Sequence, residues 1–593
     1  MSLTPTQRAD LERNLAHAVT GCSERGLYHG AKWAAELLNS LPEGEHSITD
    51  PPPAPDAHLE RRELPRFLLA KALFDSREYD RAAAVFLPRP PPPPAPHPVP
   101  PTPPQPPLSA LSKKAVFLAL YAKYLAGEKR KDEESEMVLG PADGPLTPNK
   151  DLVMLSNTLE GLLTSYYAAG SNGDGWLEYL YGVFLAKGKN ETQAKEWLIK
   201  SARLRPFHWG VWQELTALTA NAEELQQSIA ALPENVMTFI FHVFANQEQM
   251  RFNAHVHTAL TQLLALFPQS PFLKSQRALL YYHSNDYEEA AAVFNDILRS
   301  NPFRLDSLDC YSNVLYVLGH RAKLSNIAQC AALIDKFRPE TCCIIGNYYS
   351  IMSEHEKAVM YFRRALTLDR TFLSAWTLMG LEYIEMKNTH AALEAYRRAV
   401  DVNRRDYRAW YGMGQIYEIL EMHAYGLYYY QRAAALRPFD PKMWMAVGAS
   451  FARGGKLSNA IRAYKRALVA GSYQKKMGGS AAELRASGGA LDPDTLYEVA
   501  KLYERVGDRR EARAFMELVI AQEESHPTDN DATFGVGVTP NTSKARMWLA
   551  KFHYAAGDYN AANELATQLC QDGFDVEEAK ALQRDIRARI EAM

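Results

Sequence analysis

The feature that most constrains this chain is a pattern that recurs every 34 residues between Glu340 and Ser472. In each period an aromatic residue stands three positions after a glycine, and later in the period an alanine stands three positions after a second aromatic residue. These columns and the accompanying tryptophans are Gly346, Gly380, Gly414 and Gly448; Tyr349, Tyr383, Tyr417 and Phe451; Phe362, Tyr396, Tyr430 and Tyr464; Ala365, Ala399, Ala433 and Ala467; and Trp376, Trp410 and Trp444. A constant period of this length indicates tandem copies of one small structural unit.

The order of residue sizes within the period predicts the shape of that unit. A large residue stands at position 4, small residues at positions 8 and 20, aromatic residues at positions 11 and 24, and alanine at position 27. This order is typical of the tetratricopeptide repeat (TPR), in which two antiparallel helices approach closely at the small residues. The sequence therefore predicts an all-α fold, a TPR superhelical solenoid, with the three tryptophans as packing residues.

The same register predicts how the chain is divided. It begins at Pro271, so that six repeats follow one another without insertion, and further matches occur on both sides. We expect N-terminal TPR-like helices over 1–87, a polyproline insertion over 88–107, further repeats over 108–270, six in-register repeats with a peptide-binding groove over 271–472, a glycine-rich loop over 473–493, and C-terminal repeats with a capping helix over 494–593. Because repeats occupy nearly the whole chain, no segment is left for a separate catalytic domain.

The polyproline insertion contains 14 prolines among the 20 residues from Pro88 to Pro107. Proline has no N–H to donate and interrupts helices, so this run favours a solvated polyproline II conformation. Two interpretations are open: a ligand for an SH3 or WW domain, or an insertion tolerated in a surface loop. The second is favoured because the run has no repeated PxxP core with flanking basic residues.

The composition argues against several classes of function. A net charge of −3 over 593 residues disfavours binding to nucleic acid or to an acidic membrane. The six cysteines include no CxxC pair and indicate reduced thiols, and the N-terminus lacks the apolar core of a signal peptide. No uncharged run approaches the ~18 apolar residues that span a bilayer. We expect a soluble intracellular protein, nuclear and cytoplasmic, that binds neither nucleic acid nor membrane.

No set of residues in the sequence has the pattern of a catalytic or metal site. A phosphate-binding GxxxxGK[ST] loop is absent. His255 and His257 are two residues apart, which points them about 200° apart on a helix and disfavours a shared metal ion. Cys342 occupies position 4 of a repeat and should be buried, and neither it nor Cys343 has a base nearby to activate a thiolate. We therefore expect no enzymatic activity, no cofactor and no metal.

The concave groove is the remaining candidate site. The first helix of each TPR lines the inner surface of the superhelix, chiefly through positions 2, 5, 9, 12 and 13. In the central repeats this spacing predicts a peptide-binding groove formed by Asn347, Ser350, Thr377, Leu381, Glu385, Tyr411, Gln415 and Glu418. The lining is polar, aromatic and acidic, which suits an extended peptide that presents a hydrophobic residue and an arginine. The alternative for each residue is an ordinary solvated side chain.

The same positions disfavour a clamp for C-terminal carboxylates, as found in chaperone-binding TPR proteins. Such a clamp needs lysines and asparagines at positions 2, 5, 6 and 9. Asn347 fits position 9, whereas Cys343, Ser374 and Leu378 stand where the other clamp residues are required.

Several segments closely resemble one known family. They are RPETCCIIGNYYS (338–350), AWTLMGLEYIEMKN (375–388), RDYRAWYGMGQIYEIL (405–420), YYYQRAAALRP (428–438), CSERGLYHGAKWAAELL (22–38), KKAVFLALYAKYLAGEKRKDEE (113–134) and LYGVFLAKGKN (180–190). The family is subunit 8 of the anaphase-promoting complex, or cyclosome, also called the cell-division-cycle protein 23 family. The chain departs from it at the polyproline run and at 475–493.

The resemblance implies a non-catalytic scaffold of a multisubunit ubiquitin ligase that acts in the cell cycle. It implies homodimers formed through N-terminal repeats, stacking with other TPR and scaffold subunits of the complex, and a C-terminal groove that receives the arginine-containing C-box of coactivators. The alternative function is a TPR regulatory or adaptor arm of another enzyme complex, such as a glycosyltransferase, a phosphatase or a chaperone adaptor.

Overall fold

The computed structural model describes residues 5–41, 57–87, 108–135, 149–168, 170, 173–219, 221–249, 254–478, 491–523, 538–572 and 576–591. The predicted polyproline run and most of the glycine-rich loop lie outside these residues. The described residues form 29 α-helices, one 3₁₀ turn at Leu108–Ala110 and short connections. Two compact units, Met1–Leu280 and Tyr281–Met593, divide the chain within one helix.

The first unit consists of thirteen helices, the last of which crosses its boundary. They are α1 (Pro5–Glu24), α2 (Tyr28–Asn39), α3 (Ala57–Asp75), α4 (Tyr79–Ala84), α5 (Lys113–Ser135), α6 (Leu152–Ala168), α7 (Trp176–Lys187), α8 (Glu191–Leu204), α9 (Trp209–Leu218), α10 (Ala222–Ala230), α11 (Val236–Glu248), α12 (Ala254–Leu266) and α13 (Pro271–Ser284). Within this unit α2 packs against α9, where the ring of Trp33 stacks on that of Trp209 at a centroid distance of 4.3 Å.

The second unit continues the helical hairpins. Its helices are α14 (Tyr287–Ser300), α15 (Leu308–Val317), α16 (Arg321–Ile334), α17 (Pro339–Ile351), α18 (His355–Leu368), α19 (Leu373–Glu385), α20 (Thr389–Val402), α21 (Tyr407–Ile419), α22 (His423–Leu436), α23 (Pro441–Arg453), α24 (Leu457–Gly478), α25 (Pro493–Val506), α26 (Arg509–Ala521), α27 (Pro540–Ala556), α28 (Tyr559–Asp572) and α29 (Val576–Glu591). The predicted all-α TPR fold is thereby confirmed. Within the described ranges, no helix combines the length and apolar character that crossing a membrane requires.

The periodic glycines let the two helices of a repeat approach closely. A Cβ atom placed on Gly346 would lie 2.5 Å from a ring carbon of Phe362, and one on Gly414 would lie 2.6 Å from the ring of Tyr430. These distances are well below van der Waals contact, so a side chain at position 8 would displace the aromatic ring at position 24. The two columns seen in the sequence are therefore the two sides of one helix–helix contact.

Besides packing in the core, the periodic tryptophans form hydrogen bonds with the loops that connect the repeats. The indole Nε1 of Trp376 donates to the carbonyl oxygen of Arg370 at 2.9 Å. Trp410 and Trp444 donate in the same way to the carbonyl oxygens of Arg404 and Pro438. Each ring thus satisfies a backbone acceptor six residues earlier, in the loop that leads into its helix.

The turn between the two helices of a repeat contains a residue with left-handed backbone. This residue recurs with the 34-residue period at Asn285 (φ 68°), Gly319 (φ 70°), Ser353 (φ 62°), Lys387 (φ 59°), Glu421 (φ 58°) and Gly455 (φ 74°). The following N–H returns to a helical carbonyl five residues earlier, for example from Asn388 to Tyr383 at 2.8 Å. This bond and the left-handed residue are those of a Schellman C-cap, which ends the first helix.

Candidate functional site

The first helices of the central repeats lie beside one another. Helix α15 contacts α17, α17 contacts α19, and α19 contacts α21. The predicted groove residues are all carried by α17, α19 and α21. The structure therefore places them on three successive first helices, although their side chains differ in burial.

Asn347 and Ser350 on α17 are buried between neighbouring helices. Asn347, only 2% exposed, donates through Nδ2 to Ser312 Oγ at 2.8 Å and to Asn313 Oδ1 at 2.7 Å. Ser350 Oγ donates to Glu382 Oε1 at 2.6 Å. The sequence predicted that they line the groove, and in the structure their side chains link one repeat to the next. A ligand would have to exchange these hydrogen bonds in order to contact them.

The three predicted residues of α19 differ in their accessibility. Thr377 is buried and its hydroxyl donates to the carbonyl oxygen of Ser374 at 3.0 Å, within its own helix. Leu381 is half-buried, and Glu385 is exposed at the last position of the helix. Of these three side chains, Glu385 is the one open to a ligand.

On α21 the predicted residues form a connected polar surface. The ring of Tyr411 lies 5.3 Å from that of Tyr430, and the side chains of Tyr411 and Gln415 are hydrogen-bonded. Burial, with a smaller contribution from the negative charge of Asp440, raises the pKa of Tyr411. Glu418 accepts a hydrogen bond from Tyr430 Oη at 2.6 Å and forms an ion pair with Arg453. Glu418 is thus an acidic residue whose charge is already partly neutralised.

Glu382 is a residue of this site that the sequence analysis missed. Its side chain is 2% exposed, accepts the hydrogen bond of Ser350 and lies 2.8 Å from His355 Nδ1. The sequence could have indicated this residue, because Glu382 stands at position 10 of its repeat. The same position holds Ile416 and Ser450 in the next two repeats, and both are buried. A charged residue at a buried helical position indicates a polar network.

The cysteines singled out in the sequence are packing residues. Cys342 and Cys343 are 1% and 0% exposed, as predicted for Cys342 from its position in the repeat. Burial raises the pKa of both thiols, which disfavours the thiolate that a nucleophile requires. Among the residues that the structure describes, no group of three or more His, Cys, Asp or Glu side chains is placed to hold a metal ion.

Family models match most of the repeat region. The model for "Anaphase promoting complex subunit 8 / Cdc23" matches residues 10–278. Tetratricopeptide-repeat models match 257–304, 339–372, 377–424 and 426–475, and the match to 339–372 covers one 34-residue period. A Sel1-repeat model matches 533–552.

Three relatives show the extent of the similarity. Anaphase-promoting complex subunit 8 of Arabidopsis thaliana is 35% identical over 396 residues, which cover 61% of this chain and 63% of the relative. Anaphase-promoting complex subunit CDC23 of Saccharomyces cerevisiae is 33% identical over 448 residues, covering 63% of this chain and 68% of the relative. The cell division cycle protein 23 homolog of Homo sapiens is 36% identical over 307 residues, covering 51% of this chain and 46% of the relative. The match thus spans about two thirds of the plant and yeast relatives and less than half of the human one.

Proposed function

Because this chain belongs to the family of anaphase-promoting complex subunit 8 / Cdc23, we propose that it is a non-catalytic TPR scaffold subunit of the anaphase-promoting complex, a ubiquitin ligase of the cell cycle. The observation that carries the proposal is the 33% identity to the yeast subunit over 68% of its length. The proposed location is the nucleus and cytoplasm, where that ligase would act.

The proposed role is positional. TPR units present long surfaces made from repeated helices, and several weak contacts on one scaffold multiply into high avidity. The proposed partners are a second copy of the chain, other TPR and scaffold subunits, and coactivators that carry an arginine-containing C-box. Affinity purification of the tagged chain from dividing cells tests this proposal. Recovery of the ligase subunits is expected, and their absence would refute it.

Homodimerisation is a separate element of the proposal and has its own test. The mass of the purified chain in solution, measured by light scattering, should be about twice 66.6 kDa. A single-chain mass at micromolar concentration would exclude the dimer and leave the scaffold role standing.

The proposed coactivator site is the groove on α17, α19 and α21. Support comes from its carboxylates, since Glu385 is exposed and Glu418 lies beside the aromatic pair Tyr411 and Tyr430. An arginine side chain can pair with a carboxylate and stack on an aromatic ring at once. We expect Glu385→Lys to weaken binding of a C-box peptide about tenfold, which corresponds to about 1.4 kcal/mol.

The matched control is Asp401→Lys, which makes the same charge change at an exposed position of α20, the second helix of the same repeat. Fluorescence anisotropy with the labelled peptide measures both affinities. Equal affinities for the two variants would remove Glu385 from the site. Glu418→Gln is a second test, because the amide retains the acceptor for Tyr430 while removing the charge.

A further inference from the structure

Two polar contacts in the second unit join parts of the chain that are far apart in sequence. In a TPR array each repeat normally contacts its immediate neighbours. Here Tyr282 and His283, in the last turn of α13, contact Arg408 and Arg437, which are 126 and 154 residues further along the chain. At 34 residues per repeat, these contacts span about four repeats.

The contact is made by two arginines and two tyrosine rings. Arg408 donates through Nη2 to Tyr282 Oη at 3.3 Å, and its guanidinium carbon lies 5.6 Å from the centre of the Tyr282 ring. Arg437 donates through Nη2 to the carbonyl oxygen of His283 at 3.4 Å and lies 4.6 Å from the centre of the Tyr407 ring. We call these five residues, Tyr282, His283, Tyr407, Arg408 and Arg437, the clasp.

Two neighbouring carboxylates balance the positive charges of the clasp. Asp440 lies 3.3 Å from Arg437, and the carboxylate of Asp406 accepts the backbone N–H of Arg408 at 3.1 Å. Burial and the positive charges of Arg408 and Arg437 lower the pKa of His283 to about 3, so the imidazole is neutral at physiological pH. The clasp is therefore a nearly neutral, partly buried contact that needs no bound ion.

Three of the five clasp residues stand at repeat positions that line the inner surface of a TPR array, although none of them is among the eight predicted groove residues. In the 34-residue register that begins at Pro271, Tyr282 and His283 stand at positions 12 and 13, and Arg408 stands at position 2. Arg408 is also on α21, the helix that carries Tyr411, Gln415 and Glu418. The clasp thus joins lining positions about four repeats apart and occupies the N-terminal part of the α21 surface.

We propose that the clasp is an intramolecular competitor for the groove, because it holds Tyr282 against Arg408 on α21, the helix that also carries the groove residue Tyr411. This inference rests on the proposed coactivator site. A hydrogen bond and a cation–π contact hold Arg408 on Tyr282, and a peptide that extends along α21 past Tyr411 would have to break them. Peptide binding then requires release of the clasp, and weakening the clasp should favour binding.

The first experiment examines the clasp without any peptide. Hydrogen–deuterium exchange of the full chain compares the wild type with Arg408→Lys and Tyr282→Phe. Lysine keeps the charge but loses the planar fork of donors, and phenylalanine keeps the ring but loses the acceptor. We expect exchange of segments 281–287 and 405–411 to rise about tenfold in both variants. The control Arg404→Gln changes an exposed arginine before α21 and should leave exchange unchanged.

The second experiment measures binding kinetics with a fluorescent C-box peptide. Arg408→Lys should raise the association rate about threefold relative to the wild type and to Arg404→Gln. Because the charge is kept, loss of like-charge repulsion cannot produce this gain. Unchanged exchange in the first experiment, or increased exchange without faster association, would overturn the competitor role. Failure of the wild type and every variant to bind the peptide would instead refute the coactivator site, while the exchange data would still report on the clasp.

Discussion

At the scale of single residues, His208 shows how burial can set a charge state. Its ring lies between those of Trp176 and Tyr179, at centroid distances of 4.7 and 4.5 Å, and within the described residues neither ring nitrogen has a hydrogen-bond partner. Burial, with a smaller contribution from the positive charge of Arg25, lowers the pKa of His208 from 6.5 to about 3. The folded chain therefore holds this imidazole neutral.

This depressed pKa predicts a loss of stability in acid. Below pH 6.5 the unfolded chain protonates His208 and the folded chain does not, so the unfolding free energy falls by about 1.4 kcal/mol for each pH unit until about pH 3. Between pH 7 and pH 5 the cost is about 2 kcal/mol. We expect His208→Phe to lose less thermal stability than the wild type over this interval, as measured by circular dichroism. His29→Gln, which changes an exposed histidine, should follow the wild type; identical pH profiles for all three proteins would contradict the assignment.

Residue periodicity predicted contacts inside a repeat better than contacts between repeats. The columns headed by Gly346 and Phe362 specify which faces of two adjacent helices meet, and the structure has them in contact. Asn347 and Ser350 were predicted to line the groove, and their side chains form hydrogen bonds with neighbouring first helices. The inner face of a first helix adjoins both the groove and the next first helix. Helical spacing alone does not separate these two environments, because the choice depends on the partner residues and on local curvature.

At the scale of elements, the effect of a glycine-to-alanine substitution on stability depends on how closely another helix packs against the glycine. Gly346→Ala would place a Cβ atom 2.5 Å from Phe362 and should destabilise the chain by about 1–3 kcal/mol. Gly161, exposed within α6, has no atom near its Cβ position, so Gly161→Ala should stabilise the chain by about 0.5–1 kcal/mol. Thermal unfolding of the two variants should shift in opposite directions; shifts of the same sign would contradict the packing described for α17 and α18.

The polyproline insertion joins elements that are held by their own contacts. Helix α4 packs against α5, and the buried carboxylate of Glu63 accepts hydrogen bonds from the backbone N–H of Ser112 at 3.1 Å and from its hydroxyl at 2.7 Å. Glu63→Ala leaves both donors without this acceptor and should cost about 1–3 kcal/mol. Arg62→Ala, at an exposed position of the same helix, should cost little. Chemical denaturation measures both.

A replacement of the prolines in 88–107 by glycine and serine at constant length complements that test. Because the contacts at the base of the insertion are kept, the midpoint of unfolding should stay within about 0.5 kcal/mol of the wild type. A loss as large as that of Glu63→Ala would show that the prolines themselves contribute to the fold.

At the scale of the whole molecule, stability in a repeat array is local. Each repeat is stabilised by contacts within its own hairpin and with its neighbours. A destabilising substitution should therefore destabilise the adjacent repeats and leave distant ones unchanged. Phe362→Ala removes a fully buried ring and should cost about 3–5 kcal/mol. We expect faster hydrogen exchange in α17–α20 and unchanged exchange in α25–α28. Uniformly faster exchange along the second unit would show that it unfolds as a single cooperative block.

The left-handed residue in the turn of each repeat has a practical consequence for protein engineering. Four of its six occurrences between residues 285 and 455 are not glycine, namely Asn285, Ser353, Lys387 and Glu421. A side chain in this backbone conformation costs about 1–2 kcal/mol. Glycine would remove this strain, but part of the gain would be lost because glycine gives the unfolded chain more conformational freedom. Glycine substitutions at these turns would leave the residues that pack helix against helix unaltered. The turns are accordingly sites at which heat tolerance could be raised step by step for biochemical reconstitution, without redesigning a binding surface.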